Sequence, residues 1–238
     1  MKKNILMYNA FQLTLFTTLF FLFGCKKSNP PIANIIIPSI TICNQVWMSK
    51  NLDVSNYSNG DLIPQVTDPV AWANLTTGAW CWYKNDSTTY GTLYGRLYNW
   101  YAVNDPRGLA PVGWHIPLES EWNKLVKCLD PIADTLCMSC SQSTIAGGAM
   151  KDTGIAYWYS PNIGATNSSG FTALPAGKRN NNGTINSFEN IYLGGGWWSS
   201  TENNTTTAWT RYVNYVSTGI YRTAENKVSG LPLRCVKD

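Results

Sequence analysis

The chain has 238 residues, of which 13% are charged and 13% aromatic, with 11 tryptophans and a formal net charge of +4. So aromatic and so weakly charged a composition argues against a disordered chain. With no basic stripe to track phosphates, it also excludes nucleic acid as a partner.

At the N-terminus, Lys2 and Lys3 precede an apolar run from Phe11 to Phe23 that ends Leu22-Phe23-Gly24-Cys25. A basic start, a short apolar stretch and a small residue before the cut describe a secretory signal. The strongly apolar part is shorter than the ~20 residues that a bilayer span needs. The Leu-x-Gly-Cys ending resembles the bacterial lipobox. That resemblance implies a signal peptide over residues 1–24, lipid on Cys25, and a protein of the cell envelope anchored to the outer membrane, on its periplasmic face or at the cell surface. Lys26-Lys27-Ser28 lacks the acidic run of some surface-export signals, which favours the periplasmic side. The prolines of Asn29–Pro38 block helix, so residues 25–38 read as an extended tether.

The remaining residues, 39–238, are about 200 in number and suffice for one domain with its own core. Ile40–Trp47 places Ile40, Ile42 and Val46 on one parity and reads as one half-buried strand. Ala79–Tyr83 reads as a second strand, and Leu97–Val103 as one or two helical turns. In Arg107–Leu125 a Gly- and Pro-rich turn leads through Val112–Ile116, a strand closed by Pro117, into the most convincing helix. Glu119 and Glu121 fall in its first turn, where the helix dipole favours carboxylates, and Leu118, Trp122, Leu125, Val126 and Leu129 form its apolar face. Gly194–Glu202 (GGGWWSSTE) is the strand expected to pack on that helix, with one of Trp197 and Trp198 buried and the other facing out. Gly147–Gly154 and Ser160–Gly170 read as loops. Phe171–Leu174, Ala208–Val216, Gly219–Thr223 and Leu231–Val236 read as further strands. Two helices among short strands and long loops indicate an α+β fold.

With Cys25 assigned to lipid, Cys43, Cys81, Cys128, Cys137, Cys140 and Cys235 remain, an even set that suggests disulfides in an oxidising compartment. Zinc at Cys137-Met-Ser-Cys140 with Cys128 and His115 lacks a second ligand pair. His115, the single histidine of the chain, has no nucleophile motif to serve, and no catalytic residue is assigned. Glu202 stands apart from other acids in the sequence and is kept as a ligand candidate. No cofactor is required, although Asp86, Asp105 and Asn162 offer oxygens of the kind calcium takes; turn-forming Asx side chains explain them equally. Trp72, Trp80, Trp82, Trp158, Tyr159 and Trp209 lie in or beside segments rich in Asn and Thr, a composition suited to stacking on sugars or gripping peptide.

The motifs NQVWMSKNLDV, GAWCWYKND, YGRLYNWYAVND, RGLAPVGWHIPLESEW, AGGAMKDTG, GATNSSGFTALPAGKR, GGGWWSSTE and LPLRCVKD resemble, in that order, the Fibrobacter succinogenes major paralogous domain, from about Thr41 to Asp238. The resemblance implies a C-type-lectin-like fold related to the formylglycine-generating enzymes, in which the first and last strands pair and Ile40–Val46 lies beside Leu231–Val236. It implies no activity. It also makes Cys81–Cys235 the first disulfide candidate, because the family's recurrent cysteines fall there; Cys128 would then join Cys137 or Cys140 across a short loop. Members usually carry Ser or Thr where this chain has Leu118, whose side chain accepts no bond, so another group must cap the helix. The expectation is a non-catalytic envelope domain for a carbohydrate or protein ligand. The alternatives are an extracytoplasmic enzyme, related to formylglycine-generating enzymes or acting on glycans, and a structural or adhesion protein.

Overall fold

The computed structural model describes residues 37–185 and 187–238; the expected signal sequence, Cys25 and nearly all of the expected tether lie outside them. In chain order the elements are β1 (Ser39–Ile42), β2 (Gln45–Met48), α1 (Pro69–Ala73), β3 (Trp80–Cys81), α2 (Thr92–Tyr94), β4 (Leu97–Tyr98), α3 (Trp100–Val103), β5 (Trp114–His115) and α4 (Glu119–Leu129). Then follow β6 (Cys140–Ser143), α5 (Ala146–Met150), β7 (Ala176–Arg179), β8 (Phe188–Ile191), β9 (Gly194–Glu202), β10 (Thr207–Asn214), β11 (Ile220–Asn226) and β12 (Val236–Lys237). This is an α+β fold of few helices and short antiparallel strands, arranged as sheets β1-β2-β12-β5 and β6-β11-β10-β9 and the pairs β3-β4 and β7-β8. Among the described residues no helix is long and apolar enough to cross a membrane.

The two ends of the domain meet. Val236 pairs with Trp47, and Met48 and Leu52 donate to the carbonyls of Cys235 and Leu233 at 3.0 and 2.8 Å. The stretch Ile40–Trp47, however, is a hairpin and not one strand. Cys43 and Asn44 form its turn, with Ile42 paired to Gln45. Cys43 sits at φ 53, in the left-handed region that side chains seldom occupy. The two-residue turn switches parity between the arms: Val46 pairs with Thr41, and it is Trp47, paired with Ile40, that joins Ile40 and Ile42 on the core face.

Four more segments differ from expectation. Leu231–Val236 is not a continuous strand: Leu231 makes an isolated bridge to Tyr98, and only Val236 enters a strand, with Lys237. Gly147–Met150, read as loop, belongs to α5; Gly147 is required there because a Cβ would run into the carbonyl of Gly219. Phe171–Leu174 is not a strand, since only Ala173 bridges, to Lys151. Leu97–Val103 divides into β4 and the single turn α3.

The long helix α4 forms where its pattern placed it. Trp122, Leu125 and Val126 are buried, whereas Leu118, at the N-cap, is half exposed and lies off that face. Two donors of the helix start are met without a capping side chain. Glu121 Oε2 accepts the Leu118 N–H at 2.9 Å, and Thr201 Oγ1, reaching over from β9, accepts the Glu119 N–H at 3.1 Å. The helix packs on β9 as expected: Trp122 and Trp197 lie 6.4 Å apart between ring centres. Trp47 and Phe171 close the cluster, at 4.7 and 6.0 Å from Trp122.

Both tryptophans of β9 are fully buried, against the expectation that one faces out. Trp197, opposite Arg211, lies on the face covered by α4; Trp198, opposite Thr210, lies on the other face. There its indole donates to the carbonyl of Tyr98 at 2.8 Å, under the β4 and Leu231–Leu233 layer. A strand covered on both faces has no outward side.

The disulfides also depart from expectation. Cys43 is bonded to Cys128, and Cys137 to Cys140. Cys81 and Cys235 are free, buried thiols. They belong to different clusters, Cys81 with Trp72 and Leu97 and Cys235 with Met48 and Leu233. Burial pushes both thiols up to about 12, which leaves them inert at neutral pH.

Candidate functional site

Loops make up much of this domain, and their buried carbonyls need donors. Cations supply them. Lys151 Nζ donates to the carbonyls of Ile163, Asn214 and Ser217, each at 2.9 Å. Arg234 donates to Met48, Phe171 and Thr172 carbonyls and to Asn51 Oδ1 at 2.7–3.0 Å. Arg179 donates to Val66 and Thr67 at 2.7 and 2.9 Å. Burial alone pulls Lys151 down to about 8 and Arg234 to about 9. Arg211 on β10 is also buried but is neutralised: its guanidinium grips both oxygens of Glu119 at 2.6 and 3.2 Å. Arg222 Nε adds a bond to Glu119 Oε2 at 2.6 Å.

Against this scaffold most of the aromatic candidates are structural. Trp72 is buried under the Arg179 guanidinium, 4.5 Å away. Trp158 is buried with its indole donating to Ala173 O at 3.0 Å. Trp209 is buried under Arg222, at 3.6 Å. Trp80 and Trp82 flank Arg96, at 4.2 and 4.3 Å. The Asn- and Thr-rich segments beside them are largely exposed, Asn74, Thr76, Thr77, Asn203 and Asn204 among them, but the rings themselves turn inward, so polar sequence neighbours did not mean an exposed ring. Glu202 pairs with Lys227 Nζ at 2.5 Å.

The three calcium candidates are engaged separately. Asp86 caps the turn at Thr89, and Asp105 grips Arg107, whose hydrogen bond holds that carboxyl down at about 2. Asn162 donates to the carbonyls of Asp152 and Gly154. Among the described residues no three His, Cys, Asp or Glu side chains group as metal ligands do. His115 lies between two carboxylates, Nδ1 at 2.7 Å from Asp238 and Nε2 at 2.8 Å from Glu121. Partial burial lowers its pKa, but the two carboxylate bonds outweigh this and hold it above the ordinary imidazole value.

Tyr159 is the aromatic candidate that does reach solvent, 61% exposed. The fold sets it among other tyrosines. Its N–H donates to the Tyr192 carbonyl at 2.8 Å, its ring meets Tyr215 edge-on at 5.7 Å, and Tyr192 and Tyr157 are 41% and 38% exposed. Tyr90 and Tyr94 stand behind, 6.3 Å apart; burial first, then the neighbouring Tyr90, raises the Tyr192 phenol. Tyr192 was missed because it lies in a turn between β8 and β9 that no local pattern marks; it holds φ 66 there.

The same turn borders a cavity of 290 Å³ lined by Lys178, Asn190, Thr210, Tyr212, Thr223 and Glu225, with Gly194 and Gly196 among its walls. Thr210, Tyr212, Thr223 and Glu225 share one face of β10 and β11 by register. Gly194 must lack a side chain, because a Cβ would strike the Tyr212 ring. Lys178 Nζ and Glu225 Oε1 pair at 2.7 Å across the hollow, and burial, then Glu225, raises the Tyr212 phenol. The accessible lining of this small hollow is mainly apolar, with Lys178, Glu225, Thr210 and Thr223 supplying its polar groups.

No curated protein and no solved structure matches the chain. The family model described as the Fibrobacter succinogenes major domain matches residues 40–237, nearly every residue that the structure describes, and the chain therefore belongs to that family.

Proposed function

We propose that this is a binding module of the cell envelope, lipid-anchored through Cys25 to the outer membrane, which presents its tyrosine face and the adjoining cavity to a polysaccharide or protein ligand. The observation that carries the reading is the exposure of Tyr157, Tyr159 and Tyr192 around one turn. Tyrosines supply large contact area and a hydroxyl at low entropic cost. The cavity that the same turn borders contributes the polar groups that fix orientation. A C-type-lectin-like arrangement is part of the proposal, and the pairing of the first strands with the last supports it.

The test is retention of the full chain on an array of glycans and cell-wall polymers, with and without calcium. Tyr159→Ala and Tyr192→Ala are each expected to weaken retention about tenfold, the loss of one well-placed aromatic. Retention unchanged in both variants would reject the face. One observation favours an enzyme instead: His115, held by two carboxylates, borders a hollow of 380 Å³ also lined by Ser58 and Ser200. Hydrolase assays on the retained ligands decide this, since turnover lost in His115→Gln replaces the binding reading with a catalytic one.

A further inference from the structure

A second cleft, of 560 Å³, is lined by Thr67, Tyr83, Lys84, Asn85, Arg179 and Ser187, with Phe188 beside them. Its polar groups are one-sided. Arg179 is buried with its two terminal nitrogens spent on the Val66 and Thr67 carbonyls, so its charge meets no carboxylate. Its Nε and the buried Ser187 Oγ have no hydrogen-bond partner among the described residues. The thiol of Cys81 lies against the same guanidinium, and there burial, outweighing the nearby charge, keeps it protonated.

Lys84 brings the second cation. It forms no ion pair among the described residues. It and Asn85 stand at φ 50 and 58, two successive side-chain-bearing residues in the left-handed region, with Asn85 fixed by its amide on Thr67 O at 3.1 Å. The carboxylates nearest in sequence pair with neither cation: Asp68 caps α1 through Ala71, and Asp86 caps the turn at Thr89.

Two cations without a carboxylate partner, and unpartnered buried donors around the same hollow, have one complementary ligand. We propose that this cleft binds an oxyanion group, a carboxylate or phosphate carried by a ligand, with Lys84 Nζ as its outer clamp and Ser187 Oγ and the Arg179 charge as its floor. The proposal rests on the cleft's own charge and not on the tyrosine face.

The experiment is titration of the full chain, followed by calorimetry, with inorganic phosphate, with glucuronate, and with glucose as the neutral counterpart. Binding of either anion without binding of glucose is expected. Glucuronate alone identifies an acidic sugar as the source, phosphate alone a phosphoryl group, and both an oxyanion in general. Lys84→Glu reverses an exposed charge and should weaken anion binding at least tenfold; Ser187→Ala should weaken it severalfold. Thermal melts confirm that both variants fold, and retention on the array through Tyr159 should be unaffected by Ser187→Ala. Equal affinity for glucose and glucuronate, no binding of either anion, or unchanged anion affinity in Lys84→Glu would each overturn the proposal.

Discussion

Two parts of this domain bury arginine in opposite ways. Under α4, where β10 and β11 pair in register, Arg211 is neutralised by Glu119 and adds only a long bond, 3.3 Å, to the Thr210 carbonyl. Around Asn51 and Phe171, where the chain is irregular, Arg234 has no carboxylate and binds carbonyls instead. The difference teaches that a buried cation takes whatever acceptor the local backbone leaves open. It also separates the two in kind. A carboxylate partner can be deleted together with its arginine; a backbone carbonyl cannot.

The largest effect should therefore come from Arg234→Met, which strands the Met48, Phe171 and Thr172 carbonyls, although Asn51 Oδ1 keeps its bond from the Trp197 indole. At ~1–3 kcal/mol for each unsatisfied group, the loss should be about 5 kcal/mol in urea unfolding. Arg234→Lys should recover only part of it, since an ammonium cannot span all four acceptors. Full stability in Arg234→Met would end the contrast. Glu119→Gln should cost about 3 kcal/mol, because it leaves Arg211 buried and unpaired. The double change Glu119→Gln with Arg211→Met should be more stable than Glu119→Gln alone. If the double variant is the weaker, the pair is not separable from the sheet in the way described.

The smallest effect sharpens the picture at the helix start. His115 has a folded pKa above its unfolded value near 6.5, so its two carboxylate bonds contribute stability fully below about pH 6.5 and lose it as pH rises through the folded value. Unfolding measured from pH 5.5 to 8.5 should show stability falling with pH in the native chain and a flatter profile in His115→Gln. A parallel slope in both would show that other groups carry the dependence.

Much of the regular half was legible in the sequence. Helical spacing placed Trp122, Leu125 and Val126, and the glycine-tryptophan strand was expected against them, because both rest on local periodicity. The candidate site was read less well. Tyr159 was found among the aromatics, but Trp72, Trp158 and Trp209 had been grouped with it, since Asn- and Thr-rich neighbours usually mark surface. Here those neighbours do lie largely at the surface, but the rings turn inward, with Arg179, Lys151 and Arg222 lying against them. No local pattern foretold Tyr192, whose exposure depends on where β8 meets β9. Nor could the spacing show that Cys43 reaches Cys128, 85 residues away. That bond follows from a hairpin turn, which alternation does not reveal.

That bond has a mechanical meaning. Any pull transmitted along the chain from its N-terminal side enters the domain at Ser39, in β1, an edge strand paired to β2 alone. Load applied there peels strands apart one rung at a time, from Ser39–Met48 toward Ile42–Gln45. At Cys43 the peeling meets a covalent link to the far end of α4, and tension passes into the helix and the aromatic cluster beneath it. Under oxidising conditions the hairpin is thus a short slack of four residues, Ser39–Ile42, ahead of a fixed stop. With the thiols reduced, the same pull would run on into β2, and from there into the pairing with β12 that joins the two ends of the domain.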